Sequence, residues 1–267
     1  MLDEKRMNRV LEKLDTDQML ITDPFAIYYL TGRWIFAGER FLGLLIKKGK
    51  KPILYLNELF RFDEDLGVTK KMITDTDSVA ELLKYDVDPN KALGVDKTLA
   101  ARFLLPMIDG AIASKFINGS LAVDHTRAIK DEEEIALMRE SSHINDLAMA
   151  EFKKLPKSGI TEIEVANQML DIYKKLGAEA YSFSPIVAFG VNAADPHHMP
   201  DETVLHEGET VLFDVGCKYH GYCSDMTRTF FFKGTPTEEQ MRIYHLVRQA
   251  NEDAEAYVKP GVRLCDI

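Results

Sequence analysis

The chain has 267 residues, 46% hydrophobic and 28% charged, with a formal net charge of −10. Such a composition belongs to a globular protein of two ordinary domains or one large one, and its acidity speaks against a nucleic-acid partner held by phosphate neutralisation. No apolar run approaches the ~18 residues of a membrane span, residues 1–9 lack the apolar core of a secretory signal, and three cysteines build no disulfide framework, so the expected compartment is cytoplasmic.

In chain order, Met1 to Leu14 is charged with periodic apolar positions and reads as a surface helix. A short strand, Met19 to Thr22, ends at Asp23-Pro24, which can open a helix through Phe25 to Leu30 before Gly32 stops it. Phe41 to Ile46 and Pro52 to Leu56 read as strands joined at Lys48-Gly49-Lys50, Ser78 to Lys84 as a helix, Ala92 to Val95 as a strand and Leu99 to Ile108 as a helix. Strands alternating with helices predict an α/β layer architecture. A domain boundary is expected between Asp124 and Lys130, giving domains 1–126 and 127–267.

Asp131 with Glu134 has capping-box spacing and starts a long polar helix whose buried stripe is expected at Ile135, Met138, Leu147 and Phe152. The triplet Glu132 to Glu134 is expected to be solvated. Thr161 with Glu164 starts another helix that ends at Gly177, Phe183 to Gly190 reads as a strand, and Thr235-Pro236 opens a last helix that ends near Pro260-Gly261. His245, Glu252 and Glu255 on that helix are expected as exposed polar positions.

The chemistry concentrates between residues 190 and 232. Asp214 interrupts the apolar run Val211 to Val215, and Asp225 precedes the β-branched and aromatic run Thr227 to Phe232. With the hairpin centred between Tyr219 and His220, the two carboxylates lie directly across from each other on one face. Two such charges repel, and a divalent cation is the simplest relief. A turn cap for Asp214, or a pairing of Asp225 with Arg228, is the alternative. His197 and His198 lie on a polar loop after a strand, a common place for substrate contacts, or are two surface histidines. Cys217, Cys223 and Cys265 are expected as small, reduced core residues.

Three features occur together: Asn192-Ala-Ala-Asp-Pro-His197, then Asp214-Val-Gly216 with its Asp seventeen residues after that His, then Ser224-Asp225-Met-Thr-Arg-Thr-Phe230 with its Asp eleven further on. Residues 183–232 resemble the creatinase/prolidase branch of the pita-bread metallopeptidases, which includes Xaa-Pro dipeptidase and Xaa-Pro aminopeptidase, and the tail Tyr244-x-x-Val247-x-x-Ala250 and Lys259-Pro-Gly-Val262 fits the family's next helix and turn. Residues 1–126, with Tyr29-Leu-Thr-Gly32 and Gly38-Glu-Arg40, are similar to the amino-terminal domain of that branch.

The resemblance implies a creatinase-like α/β amino-terminal domain followed by a partial pita-bread domain, an α/β (α+β) chain overall. It implies a binuclear metal centre (manganese by preference, cobalt or zinc otherwise) whose activated water attacks the bond before a prolyl nitrogen. Asp214 would ligate one metal, Asp225 would bridge both, and His197 would contact the substrate, a proline-containing dipeptide or short peptide. The family takes one His and two Glu more, on later segments that residues 1–267 do not contain. Residues 1–267 are therefore expected to be truncated within the catalytic domain, to bind metal weakly, to lack peptidase activity, and to expose an unpaired sheet edge. The complete protein is expected as a homodimer without membrane or nucleic-acid partners. A catalytically silent pita-bread binding module and a metal-independent creatinase-like hydrolase are the competing readings.

Overall fold

The computed structural model describes residues 1–267. They form two compact units, Met1–Lys130 and Asp131–Ile267, in a mixed α/β fold.

In the first unit β1 (Gln18–Ile21), β2 (Leu42–Lys47), β3 (Ile53–Asn57), β4 (Thr69–Ile73), β5 (Ala92–Val95) and β6 (Lys115–Asn118) form one sheet in the order β4-β3-β2-β1-β5-β6. The β1–β2 and β2–β3 pairs are antiparallel and the others parallel. Both faces are covered, and side chains alternate between two cores as the pleat requires. Met19, Ile21, Leu44 and Ile46 pack with Val10 of α1 (Glu4–Lys13), Ile27 of α2 (Pro24–Thr31) and Val123 of α5 (Ser120–Ala128). Leu20, Leu45, Tyr55 and Leu93 pack with Leu83 of α3 (Val79–Leu83) and Met107 of α4 (Ala101–Asp109). Asp23 caps α2 by accepting from Phe25 N, and Gly32 ends it with φ at 69°. The strands β4 and β6 and the helix α5 go beyond the elements read from the sequence. Both strands lie at sheet edges and carry lysines, which blunts an edge and also hides the strand pattern. Helix α5 has no side-chain cap and continues past the 126/127 division to Ala128.

In the second unit α6 (Glu132–Phe152) and α7 (Glu162–Lys175) both start with complete capping boxes, Asp131 with Glu134 and Thr161 with Glu164. Two three-stranded sheets carry the remaining strands: β12 (Met226–Phe231), β9 (Thr210–Val215) and β8 (Ile186–Phe189) in one; β11 (Tyr222–Cys223), β10 (Cys217–Tyr219) and β7 (Ala180–Tyr181) in the other. Ile144, Ala148 and Phe152 of α6 and Val165, Met169 and Tyr173 of α7 pack with Val187, Phe189, Val211, Phe213 and Val215 in one core.

The buried stripe of α6 differs from expectation. It runs Glu134, Ser141, Ile144, Asn145, Ala148, Met149 and Phe152, while Met138 and Leu147 are exposed. Three of these seven residues are polar, and two of them, Ser141 and Asn145, hydrogen-bond to strand backbone, so hydrophobic periodicity does not trace the stripe. Glu134 is buried rather than solvated: it takes the Tyr222 hydroxyl at 2.9 Å and closes the capping box through Asp131 N. The last helix, α8 (Glu238–Tyr257), is capped by Thr237 with Gln240, two residues after the expected Thr235. It buries no residue, and Ile243, Tyr244, Leu246 and Val247 are exposed. His245, Glu252 and Glu255 are exposed too, Glu252 pairing with Arg248 at 2.7 Å.

Candidate active site

Asp214 sits on β9, the middle strand of its sheet, with Ile186 on one side and Thr227 on the other. Its neighbours Phe213 and Val215 are fully buried in the helix-side core, so by strand alternation the Asp214 carboxylate projects from the opposite face. The hairpin register differs from the expected one. Lys218 pairs with Cys223, Tyr219 with Tyr222, and Asp214 with Thr227, which places the two-residue turn at His220-Gly221. His220 at φ 46° and Gly221 at φ 82° both occupy the left-handed region, as a tight hairpin turn demands. Asp225 is therefore not directly across from Asp214. It lies in the break between β11 and β12, where the hairpin passes from one sheet to the other.

The two carboxylates are nevertheless neighbours. Burial raises the Asp214 pKa above the ordinary aspartate value, and the nearby Asp225 charge raises it further against a hydrogen bond from Thr227. Asp214 Oδ1 is buried and has no hydrogen-bond partner. A buried carboxylate oxygen is almost always satisfied, so an orphan beside a second carboxylate is the donor arrangement that a hard divalent cation fits. Asp225 itself is exposed.

The break is fixed by close packing. A Cβ on Gly216 would stand 2.0 Å from Ser224 O and 2.2 Å from Ser182 Oγ, so only glycine fits. Ser182 ties the two strands there, donating from N to Gly216 O at 3.0 Å and from Oγ to Ser224 O at 2.9 Å. From below, Asn145 Nδ2 donates to Val215 O at 3.1 Å, and the Tyr173 hydroxyl donates to Asn145 Oδ1 at 2.6 Å. Burial pushes the Tyr173 phenol well up, which keeps it a donor. Ser141 Oγ donates to Cys217 O at 3.2 Å. The three cysteines divide: Cys217 is buried as expected, whereas Cys223 and Cys265 are exposed, and all are free thiols.

His197 lies on the loop that follows β8. It is exposed; its backbone N donates to Asp195 Oδ1 at 2.9 Å, and its imidazole makes no hydrogen bond within the protein. His198 points inward, with its side chain 12% exposed and Nε2 2.6 Å from Glu162 Oε2. Glu162, Asp201 and His198 bring ligand atoms within 4.8 Å of one another. Glu162 is fully buried and already engages four nitrogens: Phe189 N at 2.7 Å and Asn192 Nδ2 at 3.0 Å on Oε1, His198 Nε2 and Asp201 N at 3.1 Å on Oε2. A carboxylate surrounded by amide donors is a hydrogen-bonding hub, and its arrangement does not match an open metal site. This role of Glu162 has no signature in the chain's spacing, because an acid at the first position of a helix reads as a macrodipole partner. The one available signal was the second histidine, which a merely solvated loop does not require.

No helix is long and apolar enough to cross a membrane. Residues 5–129 match the creatinase/prolidase N-terminal domain and residues 136–267 match metallopeptidase family M24. An uncharacterized peptidase of Staphylococcus epidermidis is 33% identical over 264 residues, which cover 98% of this chain and 75% of that protein. The prolidase of Pyrococcus horikoshii OT3 superposes with a TM-score of 0.84 at 27% identity, over 97% of this chain and 74% of that one. The Xaa-Pro dipeptidase of Bacillus anthracis gives 0.79 at 29% identity, over 92% and 69%. Fold and family matches agree, and the chain belongs to metallopeptidase family M24, with a creatinase/prolidase domain at its amino-terminal side.

Proposed function

We propose that this metallopeptidase is of Xaa-Pro dipeptidase type, hydrolysing the bond before a prolyl nitrogen with two divalent metal ions, manganese by preference and cobalt or zinc otherwise. The observation that carries the reading is the orphaned, buried Asp214 Oδ1 beside Asp225. Asp214 and Asp225 would hold the ions, and His197, whose imidazole has no partner within the protein on an exposed loop, would contact the substrate. When bound, the ions polarise the scissile carbonyl and make water a competent nucleophile at neutral pH. The names of the solved relatives, prolidase and Xaa-Pro dipeptidase, support the substrate class. A silent binding module has no use for a buried, unpartnered carboxylate oxygen beside a second carboxylate, and neither has a metal-independent hydrolase. The free thiols fit a cytoplasmic protein, and the resemblance to two-domain members supports a homodimer.

Two carboxylates do not fill two coordination spheres. Residues 1–267 alone therefore bind metal weakly and turn over no dipeptide. The test titrates residues 1–267 and its Asp214→Asn variant with Mn2+, following free Mn2+ by electron paramagnetic resonance and thermal unfolding together, and assays proline release from an Xaa-Pro dipeptide in the same samples. The expected result is millimolar-range binding that the variant loses, with no proline above a metal-free control. Proline release by residues 1–267 overturns the inactivity, and binding indifferent to Asp214→Asn overturns the metal reading.

A further inference from the structure

The loop that carries His197 has a second anchor besides its chain ends. Residues 190–205 fold against the start of α7 through backbone bonds: Glu162 N donates to Thr203 O at 3.2 Å, Ile163 N to Asp201 O at 3.1 Å and Leu205 N to Ile160 O at 2.9 Å. Isolated bonds of this kind hold a surface loop loosely. At its centre stands Glu162, with no exposed surface and with each oxygen engaging two nitrogens drawn from four different parts of the segment: Phe189, Asn192, His198 and Asp201. Asn192 Nδ2 also reaches Thr203 Oγ1 at 3.0 Å, so the near and far limbs of the loop are cross-linked through one side chain.

We propose that Glu162 is a positioning residue for the substrate loop: its buried carboxylate gathers both limbs of residues 189–203 and, through the neighbouring His198, sets where His197 is presented. His198 is the inward-facing member of the pair and His197 the outward-facing one. With His198 Nε2 held at 2.6 Å from Glu162, the backbone of its neighbour has little freedom. The carboxylate tolerates burial because four hydrogen-bonded nitrogens satisfy both of its oxygens. Removing it leaves donors from the end of β8 and from three points along the loop unpaired at once, which favours local opening of the loop over a uniform loss of stability.

The proposal rests on the reading of His197 as a substrate contact, and its test needs neither metal nor substrate, so the two fail separately. Amide hydrogen exchange is followed by peptide mass spectrometry on the whole chain for the parent, Glu162→Gln, His198→Ala and His198→Gln. Glu162→Gln and His198→Ala are expected to raise exchange in residues 190–203 about tenfold or more while β9 and β12 keep their protection. His198→Gln, which retains a side-chain N–H donor, is expected to restore much of that protection. Parent-like exchange of residues 190–203 in both disruptive variants overturns the proposal. Equal loosening of β9 overturns it also, since Glu162 would then serve only the fold of the unit. Should Glu162→Gln not fold, the His198 pair decides on the same criteria: rescue by glutamine but not alanine supports positioning, and indifference to both refutes it.

Discussion

The two units use carboxylates in opposite ways. In the amino-terminal unit, Asp96 at the end of β5 takes the backbone N–H groups of Thr22 and Asp23 and the hydroxyls of Thr22 and Thr98. Asp86 takes the Tyr55 hydroxyl and Lys71, and Asp75 takes a two-pronged Arg40 with Asn57. Each of these acids closes a joint between elements. In the second unit Glu162 does the same, but Asp214 leaves a buried oxygen with nothing to accept. A fold can keep such a group only if something outside the polypeptide completes it, or if the cost is small beside the total stability. The satisfied acids explain architecture, and the unsatisfied one points to chemistry.

The contrast can be broken at several places. The largest effect is expected from Phe213→Ala, which empties the core directly beneath the Asp214 strand, where Phe213 also meets Phe230 edge-to-face at 5.6 Å. Denaturant unfolding should show a loss of about 3–5 kcal/mol. A pair of glycine substitutions comes next. Gly216→Ala drives a Cβ into backbone and should cost on the order of 1–3 kcal/mol or more, whereas Gly43→Ala in the other unit meets the Phe41 ring at 2.7 Å, a side chain rather than backbone, and should cost less.

The sharpest test sets the two kinds of aspartate side by side. Asp96→Ala strands several donors and should lower stability by about 1–3 kcal/mol. Asp214→Asn should raise the melting temperature of the metal-free chain. Because the folded pKa of Asp214 lies above its unfolded value, its contribution is fully favourable below the unfolded pKa, ~3.9, and is lost as pH rises through the folded pKa. The melting-temperature gain of Asp214→Asn should thus be greatest at neutral pH and vanish toward pH 3. A variant less stable than the parent at pH 7 would remove the argument from desolvation.

Much of this was legible in the sequence where local chemistry decides structure. Asp131 with Glu134, Thr161 with Glu164, and Asp23 with Gly32 all mark their helix ends, because capping is settled within four residues. The pair Asp214 and Asp225 stood out through its apolar flanks. What escaped is decided at long range. The hairpin register slipped by two because the turn needs left-handed residues at His220-Gly221, a demand that side-chain alternation does not express. The polar stripe of α6 and the burial of Glu162 depend on partners dozens of residues away, so neither periodicity nor spacing reports them.

Cys217 gives the second unit an internal clock. Its thiol is sealed between Ser141 and Ser224 at the point where α6 clamps the bent hairpin, while Cys223 and Cys265 stand in solvent. A thiol reagent should therefore modify two cysteines at once and the third only when helix and hairpin part. The rate of that third reaction measures how often the scaffold beneath the aspartates opens, with no residue introduced to report it.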